Sequence, residues 1–166
     1  MILHFHSYFS LRYGLMSPEE IVQRCEAECM SMKIKIPILL ADINTVTGIP
    51  NFLRLAKNTK HIIPLVGVEI RNGDELLYTL ISRSQSGFAA MNRFLSIHLT
   101  TKSNFPTEPP RLEDVYVIGR YQPKSQNSIQ PNNFTAIAVE ADLLTQWHLK
   151  TQGKSNPKSE TQPSIP

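Results

Sequence analysis

The sequence predicts an α/β fold in which strands and helices alternate along the chain. Short apolar runs of strand length are separated by longer segments whose apolar residues recur at helical spacing. Hydrophobic residues make up 41% of the 166 residues, which is enough to bury one core. Alternation of this kind favours parallel strands arranged in a sheet or a barrel.

The first elements are marked by local signals near the N-terminus. Residues 2–5 form a short apolar run around His4 that suits a strand. Ser17 then offers an N-cap, Pro18 stands at the first helical position, and acidic residues follow in the first turn. These signals predict a helix over residues 18–30.

The central part of the chain continues the alternation. The apolar run of residues 34–41 ends in Asp42 and predicts a strand that is buried on both faces. The next predicted elements are, in order, a helix around 52–56, strands over 61–70 and 75–82 joined by a turn at 72–74, a helix over 85–101 and a strand over 114–118.

The last third of the chain has a different composition. Eight of the twelve prolines lie within residues 105–166, which predicts a folded body followed by a loose C-terminal tail. A strand over 134–139 and a short helix over 140–150 are the last predicted elements. We therefore divide the chain into a main part (1–119), a strand–helix extension (120–150) and a polar tail (151–166).

Composition excludes several classes of protein. No run of eighteen apolar residues exists, so neither a membrane-spanning helix nor a membrane partner is predicted. The first ten residues lack the basic and apolar regions of a secretory signal. Cys25 and Cys29 are the two cysteines of the chain, too few for a disulfide framework, and the expected location is cytoplasmic. The net charge of +3 permits an anionic partner without requiring one.

The strongest chemical signal is the pair His4 and His6 on the first strand. Side chains two residues apart on a strand point to the same face, so the two imidazoles converge. Asp42 closes the second predicted strand and Glu69 lies near the end of the third. Imidazoles and carboxylates together suit Zn, Mn or Fe, which activate water for phosphoester hydrolysis. The alternative is a surface histidine pair near the terminus.

These residues belong to a longer pattern. The pattern begins with H-x-H-S, followed by a leucine and a glycine. It continues with a strand that ends in aspartate and then with V-G-x-E. This order of motifs resembles the PHP (polymerase and histidinol phosphatase) family. The similarity is greatest to the N-terminal PHP domain of bacterial DNA polymerase III alpha subunits and covers about residues 1–119. It is carried by residues 4–11, 40–44, 63–69, 75–80 and 95–99.

The resemblance implies a distorted (βα)7 barrel with a metal centre of several ions at its mouth. It implies that His4, His6, Asp42 and Glu69 are the retained ligands of that centre. In active members of the family the centre removes phosphate or proofreads a DNA 3′ end. In polymerase alpha subunits the domain packs against the thumb and helps to hold the proofreading subunit.

The chain also departs from the family pattern. Tyr13 stands where the family has an aspartate, and Ile43 follows Asp42 where metal-binding members have a histidine. The later ligands of the family come from strands beyond the part that resembles it here. We therefore expect an incomplete barrel and a degenerate site, in which Zn or Mn binds weakly or not at all in a titration.

The predicted function is that of an N-terminal PHP domain, whole or truncated, of a replicative polymerase III alpha subunit. DNA-templated synthesis belongs to the parent chain, and this segment is a scaffold. Its expected partners are the rest of the alpha chain, other replication subunits and, through the parent, DNA. The alternatives are a stand-alone metal-dependent phosphoesterase or 3′–5′ exonuclease of the same family, and a separate binding module for a replication subunit.

The other candidate groups receive structural interpretations. They are a packed helix residue (His98), an exposed residue at a strand end (His61), core thiols (Cys25 and Cys29), a solvated basic face (Arg54, Lys57 and Lys60) and a tail residue that either docks on the body or is exposed (Trp147).

Overall fold

The structure, a computed structural model, describes residues 2–120 and 136–138. Their elements are, in chain order, β1 (Leu3–Phe5), α1 (Pro18–Met32), β2 (Ile36–Ile43), α2 (Ile49–Ala56), β3 (Ile62–Asn72), β4 (Glu75–Ser82), α3 (Gln85–Thr101), β5 (Val115–Arg120) and β6 (Ala136–Ala138). Each of these elements lies within a few residues of a predicted one, and β4 and α3 agree with the prediction at both ends.

The six strands form one sheet in the order β1-β2-β3-β4-β5-β6. The pairs β1–β2, β2–β3 and β5–β6 are parallel, whereas β4 is antiparallel to both of its neighbours. The α/β character is therefore confirmed, but the sheet is mixed where parallel strands were expected. The reason is the short turn at Gly73 (φ 59°) between β3 and β4, since a parallel crossover needs roughly a dozen residues or more.

All three helices pack against the same face of the sheet, which we call the helix face. Ile38 and Leu40 of β2 lie on it with residues of α1 and α2, and Val68 and Ile70 of β3 lie on it with residues of α3. The opposite face, which we call the site face, carries the smaller cluster of Leu39, Ala41 and Ile81.

Helix α1 begins with the signals that the sequence shows. The Ser17 hydroxyl accepts a hydrogen bond from the Glu20 N–H (3.1 Å), and the Glu20 carboxylate accepts one from the Ser17 N–H (2.8 Å). This reciprocal capping box satisfies donors that a helix N-terminus otherwise leaves unpaired. Cys25 and Cys29 are buried in the core beside α2, so their assignment as packing residues is confirmed.

Two further histidines have structural contacts. The His98 ring stacks on Phe105 with the centroids 5.0 Å apart, as expected of a packed helix residue. The interpretation of His61 as an exposed residue is wrong, because its Nδ1 lies 2.9 Å from the Glu26 carboxylate and the residue is half-buried. Glu26 also accepts the backbone N–H groups of Lys60 and His61, and this ties α1 to the start of β3.

Several predictions concern residues outside the described part of the chain. The helix over 140–150, the polar tail and Trp147 lie there. A closed seven-stranded barrel stays a prediction, since the described residues supply the six strands given above. Within those residues, none of the helices has both the length and the apolar character needed to cross a bilayer.

Candidate metal centre

The parallel strands β1, β2 and β3 bring their carboxyl ends to one edge of the sheet. His4 lies within β1 and His6 directly after it, so the two side chains share a face, and their ring centroids are 4.9 Å apart. Ile43 follows Leu39 and Ala41 on the site face of β2, and in the β2–β3 register it pairs with Glu69. The Glu69 side chain therefore also lies on the site face. The edge therefore carries two imidazoles and one carboxylate.

These three side chains form a compact cluster. His6 Nε2 lies 3.2 Å from Glu69 Oε2, and one ligand atom from each of His4, His6 and Glu69 falls within 4.8 Å of the others. The Glu69 side chain is 5% exposed, the His6 side chain is 20% exposed, and His4 is exposed. The carboxylate is therefore the most deeply buried of the three groups, and the two imidazoles lie nearer the solvent.

The donor set fits one divalent cation. Bonds to zinc of about 2.0–2.2 Å place two ligands of the same ion roughly 3–4 Å apart, so the three groups need to draw together only slightly. Two imidazoles and one carboxylate suit Zn, Mn or Fe. The sequence-based expectation of Zn or Mn thus agrees with the chemistry of these donors, which by itself does not select the metal.

Asp42 lies apart from this cluster. Its side chain follows Ile38 and Leu40 on the helix face, where it is fully buried. Asp42 accepts the Ser7 N–H, the Ser7 hydroxyl and the Ser10 hydroxyl, each at 2.6 Å. The structure therefore brings together three of the four predicted ligands and uses the fourth to hold the loop after β1.

Arg71 contacts the other oxygen of Glu69. Its Nε donates to Glu69 Oε1, and its guanidinium lies over the Tyr13 ring, 4.4 Å from the centroid. Sequence reasoning missed Arg71, although a signal exists, because it stands two residues after Glu69 on the same strand. Ser7 and Ser10 were missed as partners of Asp42 because only the folded loop brings them to β2.

The electrostatics of the cluster follow from these contacts. Desolvation alone raises the pKa of Glu69, but the hydrogen bonds from His6 and Arg71 and their charges outweigh it and lower that pKa. Desolvation lowers the pKa of His4, and the neighbouring His6 lowers it further. Glu69 is therefore ionised and His4 is neutral near pH 7, the states in which these groups bind metal.

The fold and the site together define an α/β domain with a candidate metal centre at the strand ends. The family model of the PHP domain matches residues 3–142, more than four fifths of the 166 residues, so this chain belongs to the PHP domain family. A solved amidohydrolase from Chromobacterium violaceum, with bound sulfate and no metal, is similar with a TM-score of 0.41 and 13% identity, over 93% of this chain and 74% of that one. No curated protein matches the chain.

Proposed function

We propose that this chain is a structural PHP domain of the kind found in bacterial polymerase III alpha subunits and that it does not hydrolyse phosphoesters itself. The observation that carries the proposal is the position of Asp42. Because its carboxylate faces the helices and accepts three short hydrogen bonds, the described strand ends offer three metal donors and no more.

Three donors support one ion and not a centre of several ions. An ion held by His4, His6 and Glu69 would supply Lewis acidity to a bound water. The chain's own groups do little to complete such a site. Ile43, which stands beside Glu69 on the site face, has no donor atom, and Tyr13 packs its ring on Arg71.

The assignment to the polymerase branch of the family rests on the sequence segments that resemble alpha subunits. As a scaffold of this kind, the domain contacts the rest of the alpha chain and other replication subunits, and the parent chain carries out DNA-templated synthesis. The buried polar network around Asp42 supports a scaffold, because a network with its donors and acceptors paired rigidifies the loops that it joins.

The second candidate is a metal-dependent phosphoesterase or 3′–5′ exonuclease of the PHP family. The clustering of His4, His6 and Glu69 favours it, since such a cluster is the minimum that a catalytic zinc requires. Both candidates use the same residues, so activity distinguishes them.

The test is hydrolysis of p-nitrophenyl phosphate and of a 3′-labelled oligonucleotide in the presence of Zn²⁺ or Mn²⁺. We expect the unmodified protein to show no more turnover than the His6→Ala variant, which removes one donor of the cluster. Turnover that depends on added metal and disappears in His6→Ala would contradict the structural role and support the phosphoesterase.

A further inference from the structure

The side chain of Arg71 lies inside the candidate metal centre and not at its rim. The Arg71 side chain is 13% exposed, and its Nε donates to Glu69 Oε1 of a carboxylate that is 5% exposed. The other oxygen, Oε2, faces His6. Both oxygens of the one carboxylate in the cluster are therefore engaged by groups of the protein.

The guanidinium is held from several sides. It lies over the Tyr13 ring, and its Nη1 donates to the Asp74 carbonyl oxygen at 3.2 Å. The Asn44 side chain holds the Arg71 backbone at two points, since its Oδ1 accepts the Arg71 N–H and its Nδ2 donates to the Arg71 carbonyl, both at 2.9 Å. A charge with this many restraints does not move away freely when an ion approaches.

The strand geometry explains why Asn44 can make this contact. The ladder between β2 and β3 ends where Ile43 pairs with Glu69, and the next residue, Asn44, donates its N–H to the Glu69 carbonyl oxygen at 2.9 Å. Asn44 adopts a positive φ of 52°, a conformation that asparagine tolerates better than most residues. The Asn44 side chain thus supplies to the Arg71 backbone the two hydrogen-bond partners that β2, which ends at Ile43, no longer offers on this side of β3.

We propose that Arg71 is a built-in cation that neutralises Glu69 in place of a metal ion and thereby lowers the affinity of the centre for a divalent cation. The inference rests on the proposed function and gives a physical cause for it. A cation bound at Oε2 would lie close to the guanidinium, and like charges at short range in a partly buried site repel each other. A second ion bridging through Oε1 would meet Arg71 at that oxygen.

The test compares two unbranched replacements that differ in charge, Arg71→Met and Arg71→Lys. The probes are Zn²⁺ and Mn²⁺ alone, titrated by calorimetry. We expect Arg71→Met to bind one ion with at least about tenfold higher affinity than the unmodified protein, and this gain to disappear when His6→Ala is added. Arg71→Lys keeps the charge but loses the planar contacts with Tyr13 and Asp74, so its affinity should lie closer to that of the unmodified protein than to that of Arg71→Met.

The chain offers a matched control in Arg83, whose guanidinium lies over the Tyr116 ring at 4.8 Å. Arg83→Met removes the same kind of arginine–tyrosine contact away from the cluster, and we expect no change in metal affinity. A purely structural Arg71 would give a less stable protein with unchanged or weaker metal binding. Equal affinities in Arg71→Met and the unmodified protein therefore overturn the proposal.

Loss of the ion pair can also destabilise the fold, so the thermal midpoint is measured with and without Zn²⁺. A ligand that binds only the folded state raises the midpoint, and at a given concentration a tighter ligand raises it more. Zinc should raise the midpoint of Arg71→Met more than that of the unmodified protein, and should restore folded structure if the variant is unfolded without metal. Failure of zinc to do either overturns the inference.

The two proposals fail separately. Metal-dependent phosphoester hydrolysis by the unmodified protein would overturn the structural role and leave the comparison of Arg71 variants intact. Absence of hydrolysis together with no gain of affinity in Arg71→Met would overturn only the role of Arg71.

Discussion

Asp42 and Ile43 are neighbours in the chain, yet their side chains lie on opposite faces of the sheet. Asp42 continues the row of Ile38 and Leu40 toward the helices, whereas Ile43 pairs with Glu69 across the site face. Since side chains alternate along a strand, position 43 is the one from which the end of β2 faces the imidazoles. Isoleucine there supplies no ligand, and the aspartate before it stabilises the loop after β1.

For the Asp42 side chain we predict that Asp42→Asn lowers the free energy of unfolding by about 2–4 kcal/mol. The amide nitrogen would face a hydroxyl or N–H donor, and at least one buried group of Ser7 or Ser10 would lose its acceptor. Urea denaturation monitored by circular dichroism measures the change. The control is Asp74→Asn, because Asp74 is exposed, and there we expect a change within about 0.5 kcal/mol.

The same variant tests the assignment of ligands. Because Asp42 lies outside the cluster of His4, His6 and Glu69, folded Asp42→Asn should bind Zn²⁺ with the affinity of the unmodified protein. A fall in stability of less than about 1 kcal/mol would contradict the buried network. A specific loss of zinc binding with normal stability would instead identify Asp42 as a ligand.

Among the elements, those with strong local signals are predictable from the sequence alone. The Ser17 cap and the turn at Gly73 locate α1 and the β3–β4 hairpin, and the H-x-H spacing predicts that His4 and His6 converge. What cannot be predicted depends on contacts between distant segments. The spacing of Arg71 two residues after Glu69 is a local signal, but the contacts that hold its backbone come from Asn44, after the end of β2, and no pattern in the sequence shows them.

The cap of α1 gives the prediction for a single element. Ser17→Ala should lower the free energy of unfolding by about 1 kcal/mol, because the Glu20 N–H loses its acceptor and the capping box is broken. Ser96→Ala, at an exposed position inside α3, is the matched control. There the change should be neutral or slightly stabilising, since alanine has the higher helix propensity. Equal effects of the two substitutions in urea denaturation would contradict the role of the cap.

In the whole molecule, β3 connects the two apolar clusters of the helix face. Ile62 at its start packs with α1 and α2, whereas Val68 and Ile70 further along pack with α3. Val46 and Phe88 lie against both clusters. Because one strand and two shared side chains join the clusters, disruption of one removes the support of the other, and the described body is expected to unfold as one cooperative unit.

Native-state hydrogen exchange tests this cooperativity. Phe52 is fully buried in the cluster of α1 and α2, and Phe52→Ala should cost about 3–5 kcal/mol of stability. The side chains of β4 pack in the other cluster. If the body is one unit, the most protected amides of β4 should lose the same protection free energy as the most protected amides of α1. Leu53→Ala is the control, because the neighbouring Leu53 is 40% exposed and should change both regions little. Loss of protection in α1 with β4 unchanged would show that the clusters unfold separately, and β3 would then be a boundary between two units rather than the link between them.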